Sequence, residues 1–92
     1  MTIKWTIIFT EPAEKAFSKL DRPTQKEIEK YLSQRVLVAE TPRALGKALK
    51  GNLSGYWSYR SGNYRIICKI EDQEFIVLVV RVAHRKEIYT HH

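Results

Sequence analysis

The chain has 92 residues, 43% hydrophobic and 28% charged, which fits a single folded domain (residues 1–92) and excludes disorder. Sixteen Lys and Arg against ten Asp and Glu leave a net charge of +6, which calls for an anionic partner but carries no information about fold. A lone cysteine, Cys68, excludes an internal disulfide, and no apolar run nears the ~20 residues of a membrane span.

The first stretch, "MTIKWTIIFT", lacks the basic lead and small-residue cleavage site of a signal peptide, so a cytoplasmic protein is expected. Within it Ile3, Trp5, Ile7 and Phe9 alternate with Thr2, Lys4 and Thr6, the pattern of a half-buried strand. Thr10 then offers a cap, with Glu11 and Pro12 in a first helical turn. Ala13, Ala16, Phe17 and Leu20 follow at helical spacing and predict a short amphipathic helix.

Asp21 and Pro23 repeat the start signal. Ile28, Tyr31, Leu32 and Val36 form the apolar stripe of a second helix, predicted from about Arg22 to about Ala39, where Thr41-Pro42 breaks the pattern. "TPRALGKALKGNLSG" (41–55) reads as one long irregular connection carrying Arg43, Lys47 and Lys50. A loop of that length is either a functional segment or a connector across the sheet edge.

Three strands are predicted to close the chain: Tyr56 to Arg60, Tyr64 to Glu71, and Glu74 to Ala83. Gly62-Asn63 and Asp72-Gln73 supply the turns. The last strand is apolar on both faces, as a central strand is. The order is β-α-α-β-β-β, an α+β domain whose two-helix hairpin packs on a mostly antiparallel sheet.

"YRSGNYR" (59–65) carries a puzzle. With Gly62-Asn63 at the centre of the turn, Arg60 lies opposite Arg65, and like charges placed directly opposite destabilise a hairpin. An anion held between them would resolve it.

The rest of the chain narrows the kind of anion. No glycine-rich phosphate loop, CxxC pair or HExxH is present, so the chemistry is expected to need neither metal nor cofactor. His91-His92 read as a tail rather than as metal ligands. Arg60, Arg65, Arg81, His84, Arg85, Lys86 and Tyr89 crowd the last three strands and their exit, and antiparallel strand order can bring Arg65 beside His84-Arg85.

This set suits a phosphodiester. Arginine's planar fork matches two phosphate oxygens and keeps its proton, and such clamps carry much of the acceleration in charged transition states. Histidine moves protons at neutral pH, and cations beside a tyrosine favour its phenolate. With RNA the 2′-OH is an internal nucleophile, which explains why no metal is required. Lys47 and Lys50 extend the basic surface, and Trp57 is either a base-stacking ring or core.

The segment "KALKGNLSGYWSYRSGNYRIICKIEDQEFIVLVVRVAHRKEIY" (47–89) resembles the second half of the RelE/ParE superfamily of type II toxin–antitoxin toxins, and the RelE branch in particular. The markers are "LKG", "YWSYR", "G-N-YRII" and the closing "V-x-HR-x-E-x-Y". The resemblance implies a ribosome-dependent endonuclease that cleaves mRNA in the aminoacyl site and is held inactive by an acidic antitoxin. Carried over by position, Arg65 and Arg85 are the phosphate clamp and Tyr89 the C-terminal catalytic tyrosine, with His84 in the place of a family histidine. One departure stands out: the 57–60 strand has no lysine, so the general base falls to His84 or Tyr89. Two other readings share the fold, a ParE-like poison of DNA gyrase without nuclease activity and a binding module whose catalysis has decayed.

Overall fold

The structure, a computed structural model, describes residues 4–38, 41–84 and 86. Its first strand, β1 (Thr6–Phe9), runs into helix α1 (Glu11–Ser18). Thr10 caps α1 by accepting from the Ala13 N–H at 3.4 Å. The Gln25 side-chain amide donates to the carbonyls of Phe17 and Leu20 at 3.1 and 2.9 Å, which ties the end of α1 to helix α2 (Arg22–Tyr31).

Beyond Tyr31 the chain stays helical but widens into a π turn over Leu32–Val36, closed by the Leu37 N–H on the Leu32 carbonyl at 3.0 Å. The wide turn has a packing reason. Ile28, Leu32 and Val36 are spaced by fours, and each such step in an α-helix drifts by about 40° around the axis. The π turn reverses the drift, so all three side chains stay fully buried over the sheet.

The sheet has five strands in the order β1-β5-β4-β3-β2, where β2 is Lys47–Ala48, β3 Trp57–Ser61, β4 Tyr64–Glu71 and β5 Ile76–His84. β1 lies parallel to β5 and the other pairs are antiparallel. The core forms between the helices and one sheet face, from Ile28, Leu32 and Val36 against Tyr59, Ile66, Cys68, Val77 and Val79. The other face carries no helix among the described residues.

The expected order is observed, with differences that have local causes. The 41–55 connection is not irregular throughout: it holds 3-10 turns at Pro42–Leu45 and Gly51–Leu53 and, between them, the edge strand β2. Two residues are too few to show alternation. Asp72-Gln73 does not act as a two-residue turn. It lacks the glycine such turns demand, and a 3-10 turn over Asp72–Glu74 followed by Phe75 at φ 55° replaces it, delaying β5 to Ile76.

Candidate nucleic-acid interface

The β3–β4 hairpin has the register read from its turn: Ser61 pairs with Tyr64, and Arg60 pairs with Arg65. Of the two central turn residues only Gly62 has positive φ (59°), as a type II′ turn requires at its first position. Directly opposed residues sit ~4.5–5.5 Å apart at Cα, so the two guanidinium stems start side by side.

A β-bulge then decides what joins them. Ile67 pairs with Arg81 but Cys68 pairs with Val79, leaving Val80 as the extra residue of β5. Before the bulge Val77 and Val79 face the helices; after it Val82 takes that side. The slip turns Arg81 out to the helix-free face, in one row with Ile67, Ser58 and Lys47. Arg65 is half-buried beside the small Ala83 on that same face. Lys47, Arg60, Arg65 and Arg81 therefore share one side of the sheet. Lys69 lies on the same side and pairs with Glu71 at 3.4 Å.

The same bulge separates His84 from this group. His84 pairs with Tyr64, and their rings meet edge to face at 5.3 Å on the helix side. The expectation that Arg65 and His84 are neighbours holds for the backbone and fails for the side chains, because strand alternation sends them through opposite faces. The His84 ring is also oriented: its Nδ1 accepts from the Lys86 N–H at 3.2 Å. Lys86 itself is exposed. Arg85 and Tyr89 lie outside the described residues.

Trp57 is half-buried against the core, and the Arg43 guanidinium sits 5.8 Å from its ring centroid. Arg43 also makes a two-pronged contact with Asp72, one arm at 2.8 Å, which holds the Asp72 carboxyl below the usual range. The Tyr59 hydroxyl donates to the Pro42 carbonyl, and burial pushes that phenol well above its ordinary value. Trp57 is thus engaged in packing and in holding the 41–55 segment to the sheet. Lys50 is exposed on that segment, away from the hairpin row. Among the described residues no group of His, Cys, Asp and Glu is arranged to hold a metal ion, and no helix is long and apolar enough to cross a membrane.

What this geometry defines is a small mixed sheet with two helices on one face and a row of cations on the other. A family model described as the ParE toxin of the type II toxin-antitoxin system, parDE, matches residues 7–89. Toxin RelG of Mycobacterium tuberculosis is 31% identical over 85 residues, covering 92% of this chain and 95% of that one. Among solved structures, the RelBE2 toxin–antitoxin complex of M. tuberculosis superposes with a TM-score of 0.81 at 28% identity, covering 92% of this chain and 95% of that one. A double arginine-to-alanine variant of Escherichia coli RelE in the free state gives 0.71 at 25% identity, covering 96% and 93%. The chain belongs to the RelE/ParE superfamily and is a toxin of a type II toxin–antitoxin system, with RelE-named relatives.

Proposed function

We propose that this toxin is a ribosome-dependent, RelE-like endoribonuclease that cleaves mRNA in the aminoacyl site and so stops translation. The observation that carries the reading is the direct opposition of Arg60 and Arg65 across the β3–β4 hairpin. Two arginines whose backbones are held side by side carry planar donor forks suited to the oxygens of a phosphodiester.

In this mechanism the 2′-oxygen of the nucleotide attacks the adjacent phosphorus. Its proton passes to a base, the P–O5′ bond breaks, and the 5′-oxygen takes up a proton as it leaves. The products are a 2′,3′-cyclic phosphate and a 5′-hydroxyl. Arg65 and Arg85 hold the charge that builds on phosphorus, and Arg60 adds to the field. Since His84 leaves the sheet on the side away from Arg65, we assign the proton acceptor to Tyr89 and give His84 a positioning role at the strand exit, through Lys86. Arg81, Lys47, Lys50 and Lys86 are read as backbone contacts to mRNA or rRNA, which secure binding without reading sequence. Trp57 is a support for the surface rather than a stacking platform. An acidic antitoxin is the expected inhibitor, matched to the excess positive charge.

Primer extension on a defined mRNA, with and without programmed ribosomes, tests the reading. Cuts within codons that appear only with ribosomes are the expected result, and Arg65→Ala should reduce them by 100-fold or more (on the order of one lost charge-stabilising donor) while the far-UV spectrum is unchanged. A folded, fully active Arg65→Ala protein would remove the clamp assignment. The family model's own description, the ParE toxin, favours one second reading, a poison of DNA gyrase. Absence of cuts under both conditions together with inhibition in a supercoiling assay would select it.

A further inference from the structure

At the hairpin end of β3 the edge strand β2 has ended, since β2 pairs only with Trp57 and Ser58. There Arg60 borders a hollow of about 410 Å³ between the strand edge and helix α2, lined also by Glu27, Lys30, Tyr31, Gln34 and Arg35. Three of these side chains are cations and one is a carboxylate. None of the three cations is in an ion pair among the described residues, whose ion pairs are Lys15–Glu11, Arg43–Asp72 and Lys69–Glu71. Gln34 supplies amide donors and Tyr31 a hydroxyl. Tyr31 is half-buried and its pKa is raised, chiefly by burial and against the pull of the nearby Arg35, so at neutral pH it offers an O–H donor.

The single acid is placed at the turn. Glu27 Oε1 lies 2.8 Å from where a Cβ on Gly62 would stand, and the carboxylate divides this hollow from a smaller one of about 140 Å³ toward Thr24 and Tyr64. The larger hollow is left with a positive, donor-rich lining. Arg60 belongs to both the hollow and the Arg60–Arg65 pair, so one side chain joins the two surfaces around the lip of β3.

We infer that the α2–β3 hollow, built from Lys30, Arg35, Gln34 and Arg60, binds a backbone phosphate of single-stranded RNA, outside the nucleotide step held at Arg65. The inference rests on the proposed RNA-cleaving function and names a second point of attachment for the same strand. RNA is preferred over an acidic protein segment because Arg60 both lines the hollow and pairs with Arg65, to which the proposed function assigns the scissile phosphate. Its role is grip rather than chemistry: it fixes the strand where it turns over the sheet edge.

The test uses the full-length protein and a short 2′-O-methyl RNA, which binds but lacks the free 2′-OH that cleavage needs. Affinity is measured by fluorescence anisotropy at several salt concentrations for the wild type, Lys30→Ala/Arg35→Ala, Arg65→Ala and, as a control for bulk charge, Lys19→Ala. Lys30 and Arg35 are exposed on helical segments, where alanine is well tolerated. The expected result is a roughly tenfold or greater drop in affinity for Lys30→Ala/Arg35→Ala, with little change for Lys19→Ala. The slope of log K against log salt should also become shallower in the double variant, by about 0.7 for each RNA phosphate that is no longer neutralised. Equal drops in the double variant and in Lys19→Ala would overturn the site as mere bulk charge. Weaker binding by Arg65→Ala with no change in the double variant would overturn the hollow and leave the proposed function standing. A wild type that fails to bind the RNA would overturn the hollow, while the proposed function stands or falls on the primer-extension test with ribosomes. A glutamate-rich peptide of the same net charge serves as the rival probe; if the double variant releases the peptide and keeps the RNA, the hollow is a protein-docking site and the inference is wrong.

Discussion

On the proposed reading, the Arg60–Arg65 pair sets stability against function. Their register is direct, and opposite like charges on paired strands cost about 0.2–1 kcal/mol. Arg60→Thr removes the repulsion and places a β-branched residue on the strand, where it is well suited. Its expected effect is a gain in unfolding free energy of about that size, read from urea denaturation, together with weaker RNA binding. A variant that loses stability would mean that the pair is held together by something other than a bound anion. Cys68 makes a contrasting case. It is fully buried, and burial pushes its thiol up to about 12, so almost none of the reactive thiolate exists at neutral pH. Iodoacetamide should leave native Cys68 unmodified and label it at the rate of global unfolding; rapid labelling of folded protein would contradict the observed burial.

Among the elements, the 41–55 segment has the most distinctive attachment. It is pinned by Arg43, which reaches Asp72 at the β4–β5 turn and lies against Trp57, and by Tyr59, which donates to the Pro42 carbonyl. The Asp72 carboxyl has its pKa lowered first by the hydrogen bond from Arg43. A carboxyl whose folded pKa is depressed contributes fully above its unfolded value, near 4, and loses that contribution as pH falls through the lowered folded value. The emission of Trp57, followed in a Trp5→Phe background, should therefore change on acidification below about pH 4, as Arg43 is released from Asp72. Asp72→Asn should show the altered emission already at neutral pH and a flat profile below it. The same acid transition in both proteins would assign it to another group. This attachment joins residues 29 positions apart in sequence, and for that reason no local pattern announced it. The strands β3 and β4 were legible because each is long enough to alternate, and β5 because its apolar run has strand length and β-branched composition. β2 was not, since at two residues its pairing comes wholly from β3.

At the scale of the molecule, helices cover one sheet face and cations gather on the other. That division follows from the core: Ile28, Leu32 and Val36 bury against Tyr59, Ile66, Cys68, Val77 and Val79 on the face the helices cover. The amino-acid sequence by itself determined the element order, the hairpin register and the concentration of positive charge in the last three strands. These depend on local rules, namely side-chain periodicity, caps and a glycine at the turn. Tertiary structure alone decided which cations meet. The bulge at Val80 turned Arg81 toward Arg65 and His84 away from it, and the packing of α2 and the π turn that follows it beside the bare end of β3 brought Lys30 and Arg35 to Arg60. Both outcomes depend on how separate elements register against one another, and residue spacing within one element does not contain that information.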